Sequence, residues 1–219
     1  MIPFGSRFIG MLALLTLLTA CGQPAGIQPM PPVAAGQARS TTAATEPPHG
    51  APAYAQRATR QAVTGTAPAP HTCHYRSAAD GALLPDPACT PGATDPRVNQ
   101  ADIAATICVR GYTSRVRPVV EETDHAKYLL MRAYATHAHN ELDHLIPLEI
   151  GGSSSLRNLW PEPGPIPNTK DGIENELHDL VCAGVWHPGT AYLPLAAAQH
   201  LIASDWTTAV TQARQRLVR

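Results

Sequence analysis

Large apolar side chains are scarce between residues 22 and 70, and aromatic residues make up only 5% of the 219 positions. From Gly22 to about Pro70 the chain is mainly Pro, Ala, Gly, Thr and Gln. Such a segment cannot bury enough apolar surface to offset the conformational entropy lost on ordering. The composition excludes a hydrophobic core there, and we expect a disordered linker over residues 21–70.

An excess of positive charge is also absent. From His71 onward lie 12 of the 16 Lys and Arg residues but 16 of the 17 Asp and Glu residues. Because nonspecific nucleic-acid binders are usually basic, this balance argues against binding driven by net charge. Locally, Arg110, Arg115 and Arg117 flank Tyr112 in the run VRGYTSRVRP. This small basic patch is suited to phosphates, with a solvated loop as the equally open alternative.

The apolar stretch over residues 8–20 is shorter than the roughly 20 residues that a transmembrane helix needs. It follows Arg7, a combination typical of an export signal, which we place at residues 1–20. The signal ends in LTAC, which resembles a bacterial lipobox. We expect Cys21 to be lipidated and the protein to be exported and anchored to a membrane. An ordinary secretory signal is the alternative.

Four cysteines follow the lipobox, and none belongs to a CxxC pair. They are Cys73, Cys89, Cys108 and Cys182. An even number in an exported chain favours two disulfides, with three pairings open. Cys73 with Cys89 would brace the start of the domain, and Cys108 with Cys182 would join two helical segments. A zinc site that includes the adjacent His74 lacks the usual paired partner.

The remaining residues, 71–219, have the length of one compact domain. Apolar periodicity and capping residues predict helices over residues 99–108, 121–134, 168–182 and 194–206, the last continued or followed by another helix to Leu217. Alternation predicts a strand from His139, a turn near Pro147 and a return strand to Ile150. We expect Gly184 to stop the third helix, and Trp160, Trp186 and Trp206 to be packed in apolar surroundings.

One stretch combines charged and apolar residues in a manner typical of a reactive site. The run ELDHLIPLEIGG occupies residues 141–152, and RNLWP follows at 157–161. Asp143 and His144 are adjacent on an otherwise apolar strand, where burying them is costly unless they have partners. Because imidazole has an ordinary pKa near neutral pH, these two residues are the first candidates for catalysis.

The runs DHLIPLEIGG, RNLWPEP, KDGIENELH and AQHLIASDW resemble HNH endonucleases, with the resemblance strongest over residues 141–205, and VRGYTSRVRP is similar to exported bacterial members. The resemblance implies an α+β fold in which a small ββα-metal unit is embedded in a mainly helical domain. It also implies cleavage of nucleic acid, with DNA favoured over RNA, and a divalent metal ion. That ion would be Mg²⁺, with Mn²⁺ or Zn²⁺ as alternatives. The third histidine of the HNH pattern is absent.

Carried over by position, the resemblance implies that His144 is the general base that takes a proton from water, and that Asp143 is a metal ligand. Asn158 would hold the His144 ring or fix the neighbouring loop. Asn168 would be a second metal ligand, with a helix N-cap as the alternative role. His178 is the alternative ligand.

Four basic residues are candidate phosphate contacts, with solvated side chains as the alternative. They are Arg115, Arg117, Arg157 and Lys170. His137 and His139 are spaced to share one strand face, so a zinc site is a minor alternative. Two other functions stay open: a surface-anchored binding module without catalysis, and a zinc-dependent hydrolase of a cell-envelope substrate. No obligate protein partner is indicated.

Overall fold

The computed structural model describes residues 58–219. The predicted export signal, Cys21 and most of the predicted linker lie outside these residues. The described chain combines helices with two small antiparallel sheets of two strands each, so the predicted mixture of α and β structure is confirmed. No helix between residues 58 and 219 is both long enough and apolar enough to cross a membrane.

Most of the secondary-structure elements are helices. They are β1 (Arg76–Ser77), β2 (Leu83–Leu84), a 3-10 helix (Gln100–Ala105), α1 (Tyr112–Val116), α2 (Val120–Ala133), β3 (Asn140–His144), a short 3-10 helix (Leu148–Ile150), β4 (Leu159–Pro163), α3 (Thr169–Trp186), α4 (Leu195–Ser204) and α5 (Ala209–Arg214).

Helix α3 begins where the sequence predicts. The side chain of Asn168 accepts a hydrogen bond from the backbone N–H of Lys170, and the Asp171 carboxylate accepts one from the backbone N–H of Asn168. This reciprocal capping box satisfies amides that the helix cannot pair itself. The predicted stop at Gly184 is wrong, because α3 continues to Trp186. Gly184 instead lies where an added Cβ would be 3.1 Å from the ring of Tyr192.

The two long strands form a hairpin with a different second strand from the predicted one. β3 pairs antiparallel with β4, and Asp143 lies opposite Trp160. The predicted return strand before Ile150 is a 3-10 turn, in which the backbone N–H of Ile150 donates to the Pro147 carbonyl. Its apolar side chains are buried in the core, and such an alternation of buried residues suits a strand and a tight turn equally well.

Residues 58–70, which the composition assigned to the linker, belong to the folded domain. The backbone N–H of Gln61 donates to the Val116 carbonyl, and Thr64 bonds to the loop between β3 and β4 through Ser154 and Leu156. Val63 packs against a small apolar cluster that includes Leu156. Backbone pairing holds this segment, and composition does not report backbone pairing.

The main core lies between α1, the first 3-10 helix and the three C-terminal helices. Its most buried members include Ile103, Val116, Leu177, Val181, Leu201 and Ile202. Trp160 and Trp206 are buried as predicted. Trp186, the last residue of α3, is 42% exposed, so its predicted burial is wrong. Its indole N–H donates to the Cys108 carbonyl.

Both disulfides form in the favoured pairing, Cys73 with Cys89 and Cys108 with Cys182. The second bond ties the segment after the first 3-10 helix to α3, across 74 positions of sequence. Because its sulfur is in a disulfide, Cys73 is not available to a zinc ion beside His74. The helix predicted over residues 99–108 is a 3-10 helix that ends at Ala105, although Asn99 caps it as expected.

Candidate active site

Asp143 and His144 end strand β3, and both are more than nine-tenths buried. Successive strand residues point to opposite faces, so the two side chains have different partners. The Asp143 carboxylate accepts a hydrogen bond from the indole N–H of Trp160 at 2.8 Å. The Nε2 atom of His144 lies 3.1 Å from the hydroxyl oxygen of Ser154.

Lys170, in the first turn of α3, has no exposed surface. Its ammonium group lies 2.8 Å from the Asp143 carboxylate, donates to the His144 carbonyl at 2.9 Å, and forms a short ion pair with Glu174. Burial opposes its charge, but the surrounding carboxylates outweigh burial and raise the pKa of Lys170. The predicted contact between Lys170 and phosphate is wrong in this structure, because the ammonium group is enclosed.

Glu162 adds a third carboxyl group to those of Asp143 and Glu174, and the three form the acidic face of this site. Glu162 lies opposite Glu141 in the hairpin register and is 5% exposed, and its Oε2 atom has no hydrogen-bond partner. Burial, reinforced by the charge of Asp143, raises the pKa of Glu162 to about 9. Burial also raises the pKa of Glu174, although Lys170 acts in the opposite direction. Glu162 therefore holds a proton at neutral pH.

Asn158 fixes the loop between β3 and β4. Its amide oxygen accepts hydrogen bonds from the backbone N–H groups of Ile146 and Ala93, and its amide nitrogen donates to the carbonyls of Ile146 and Ser153. The side chain is completely buried and bonds to backbone, not to the His144 ring. Of the two roles predicted for Asn158, holding the His144 ring or fixing the neighbouring loop, the structure shows the contacts of the second.

The three predicted metal ligands do not converge. The side-chain oxygen of Asn168 caps α3, so Asn168 has its alternative role. His178 lies eight residues beyond Lys170, which is about 12 Å along the helix axis, and its Nε2 atom is 2.9 Å from the Ile107 carbonyl oxygen. Within residues 58–219, no group of three or more His, Cys, Asp or Glu side chains could hold a metal ion.

His178 belongs to a separate cleft of about 370 Å³, lined also by Arg110, Glu149 and Trp186. The His178 ring meets the Trp186 indole edge-on, with centroids 5.3 Å apart. Burial raises the pKa of Glu149, and the charge of His178 opposes that rise. The structure therefore divides the predicted site residues between the end of β3 and this cleft.

Two of the predicted phosphate contacts act on His144: Lys170 donates to its carbonyl, and the charge of Arg117 acts on its ring. Burial is the largest cause that lowers the pKa of His144 to about 3, and the positive charges of Arg117 and Lys170 add to it. Arg117 is exposed, and its charge also acts on Glu141. Arg115 and Arg157 are exposed as well. His144 is consequently a neutral imidazole on which the charge of an accessible guanidinium group acts.

Two residues that support His144 were missed in the sequence. Ser154 contacts the ring, and its backbone N–H donates to the side-chain oxygen of Gln61 at 2.6 Å. The Gln61 amide nitrogen also donates to the Gly152 carbonyl and to Asp95. Three consecutive serines after Gly151-Gly152 were a signal for Ser154. A single glutamine in a segment rich in Ala, Thr and Pro gave no signal for Gln61.

The arrangement provides a neutral imidazole with one nitrogen fixed by a hydroxyl group, an accessible guanidinium group whose charge acts on it, and a loop held by Asn158 and Gln61 that carries the hydroxyl group. Such groups are able to accept a proton and to hold an anion. No family model, curated protein or solved structure matches the chain.

Proposed function

We propose that this domain hydrolyses phosphodiester bonds of nucleic acid outside the cytoplasm, with DNA favoured over RNA. The observation that carries the proposal is the buried His144, whose ring contacts Ser154 at the end of a hairpin that leads into a capped helix. The positive charge of the exposed Arg117 acts on this imidazole. The succession of β3, β4 and α3 has the order that the HNH resemblance implies. We propose that these three elements form a ββα nuclease unit.

In this mechanism His144 is the general base. If its Nε2–H group donates to the Ser154 hydroxyl, the lone pair of Nδ1 is left to accept a proton from water. The low pKa keeps the imidazole neutral before substrate binds. Asn158 and Gln61 act through the loop, because they hold the backbone that carries Ser154.

Arg117 binds the scissile phosphate in this mechanism. A guanidinium group matches the geometry of phosphate oxygens and donates two hydrogen bonds to them. A bound phosphate also places negative charge near His144, which offsets the positive charges that lower its pKa. Substrate binding would therefore make His144 a stronger base at the moment it is needed. Arg115 and Arg157 are proposed to contact the flanking phosphates.

The divalent cation implied by the resemblance would stabilise the charge that develops on the phosphate. Asp143, Asn168 and His178 do not fit such an ion as one ligand set, since they lie apart and two of them are bonded to backbone. No step is therefore assigned to a metal ion. Dependence on Mg²⁺, Mn²⁺ or Zn²⁺ stays a prediction, as do export and lipidation at Cys21.

A second candidate function is nucleic-acid binding without cleavage on the same scaffold. The buried His144, with a pKa of about 3, is a weak base until an anion binds, and this favours a binding module. The zinc hydrolase gains no support from residues 58–219. His137 and His139 are exposed there, and His139 is bonded through Nδ1 to the Gly164 carbonyl.

Binding and cleavage measured on the same sample separate the two functions. The purified protein is incubated with supercoiled plasmid in Mg²⁺, in Mn²⁺ and in EDTA, and DNA binding is measured in parallel. We expect the wild type to nick the plasmid, and His144→Ala to bind DNA without nicking it. Binding without cleavage by the wild type in every cation would contradict the nuclease and support the binding module.

A further inference from the structure

We propose that the Lys170 ammonium group takes the place of a divalent cation beside Asp143, the first metal ligand that the HNH resemblance implies, and that it serves as a built-in cation of this site. Lys170 is then a positioning residue that holds Asp143 and the end of β3. Its effect on cleavage rests on the proposed function, whereas its occupation of the cation position does not.

The oxygen atoms around the ammonium group support this assignment. Lys170 meets one carboxylate from β3, one from α3 and the backbone carbonyl of His144. Carboxylate and carbonyl oxygens are the ligands that hard cations such as Mg²⁺ and Ca²⁺ take in proteins. An ammonium group has three N–H donors and needs three acceptors. The three donors and three acceptors match, so the site is complete with lysine in it.

The burial of Lys170 and of the nearby carboxyl groups also supports this assignment. Lys170 is completely buried, and Asp143 and Glu162 are each less than a tenth exposed. A divalent ion could reach the same oxygens only by displacing the buried ammonium group from its three acceptors. A buried charge without a partner is strongly unfavourable, so the exchange is resisted. The acidic face therefore accommodates one cation, and the chain supplies it.

The position of Lys170 gives it two structural tasks. Its bond to the His144 carbonyl fixes the backbone of the proposed base, and its ion pair with Asp143 links β3 to the start of α3. The Asp143 carboxylate is held in turn by the Trp160 indole. Because it is enclosed, Lys170 acts through these groups and does not touch the substrate.

Manganese binding to the metal-free purified protein tests the proposal without any nuclease assay. Electron paramagnetic resonance counts bound Mn²⁺, and thermal unfolding in Mn²⁺ and in EDTA reports its effect on stability. Lys127 is the only other lysine in the chain, so Lys127→Met is the matched control. We expect wild type and Lys127→Met to bind no stoichiometric Mn²⁺ and to unfold at the same temperature in both solutions.

Lys170→Met removes the charge and keeps an unbranched side chain that is shorter by one atom. We expect it to unfold at a lower temperature than the wild type, and to recover part of the loss in Mn²⁺ because Asp143 and Glu174 are then without their cation. One equivalent of Mn²⁺ on the wild type, lost in Asp143→Asn, would overturn the proposal. This decisive measurement uses the wild type, so it stands even if Lys170→Met does not fold.

Cleavage provides a second readout that separates this proposal from the nuclease itself. Plasmid nicking by the wild type that persists in EDTA supports a built-in cation. Nicking that requires Mg²⁺ or Mn²⁺ overturns the role of Lys170 as the cation while the nuclease proposal stands. Absence of nicking, with no Mn²⁺ bound to the wild type, leaves Lys170 supported and contradicts the nuclease.

Discussion

Charged side chains at the end of β3 have partners that explain why they are tolerated in the interior. The sequence allowed Asp143 and His144 to be predicted as important, because a buried acid and imidazole are costly without partners. It did not allow their partners to be predicted. Ser154 is close in sequence, but Lys170 reaches the site from a different element. Assigning Lys170 to phosphate was wrong, since an isolated lysine in a sequence suggests solvent exposure.

Glu162 is expected to make stability depend on pH. Its pKa is raised from 4.5 to about 9 in the folded protein, so folding takes up a proton between those values. The stability from the protonated group is complete below pH 4.5 and is lost as pH rises through about 9. The loss is about 1.4 kcal/mol per pH unit for one proton.

Replacing Glu162 with Gln removes this titration while preserving shape. We expect Glu162→Gln to be more stable than the wild type at pH 9, with the difference shrinking toward pH 5. Urea unfolding at several pH values measures it, and the exposed Glu121→Gln is the control. A constant difference between Glu162→Gln and wild type from pH 5 to 9 would show that Glu162 is ionised in the folded protein.

The loop between β3 and β4 depends on one side chain for its shape. Asn158 satisfies two backbone N–H groups and two carbonyls, all from residues without strand or helix partners there. We expect Asn158→Ala to lower the free energy of unfolding by about 2 to 4 kcal/mol, because buried backbone groups lose their partners. Asn175→Ala, which removes one exposed hydrogen bond on α3, should cost less than about 1 kcal/mol.

Denaturant unfolding monitored by tryptophan fluorescence compares these two variants. Equal losses for Asn158→Ala and Asn175→Ala would contradict the role assigned to Asn158. With the loop loosened, Ser154 is no longer held against His144, so any nicking activity should fall together with stability.

Helices were predicted better than the hairpin, for a physical reason. Capping residues such as Asn168 act within a few positions and are visible in the sequence. The second strand had to be chosen between residues 148–150 and 159–163, and both segments are apolar and buried. Only pairing with β3 distinguishes them. The exposed Trp186 was misjudged similarly, because apolar neighbours in sequence do not guarantee apolar neighbours in space.

The folded domain is larger than its composition suggests. Gln61 is buried and bonds to three separate groups, while Val63 covers part of an apolar cluster. These contacts lie in a segment that composition assigned to the linker. The start of the domain could therefore not be predicted from apolar content, since polar and backbone contacts hold this part.

Two truncated chains test where the domain begins. A chain that starts at residue 58 should unfold at the same urea concentration as the longer protein. A chain that starts at residue 71 should be less stable by at least about 2 kcal/mol, because it loses the hydrogen bonds of Gln61 and uncovers apolar surface. Identical midpoints for the two truncated chains would contradict the placement of residues 58–70 in the domain.

The most direct test of the proposed nuclease is the single-turnover cleavage rate of plasmid DNA by His144→Ala relative to His200→Ala. His200 is an exposed histidine on α4 and serves as the matched control. General bases contribute factors of about 10² to 10⁴. We predict a wild-type rate for His200→Ala and a rate at least about 100-fold lower for His144→Ala. Equal rates for the two variants would contradict the assignment of His144 as the base.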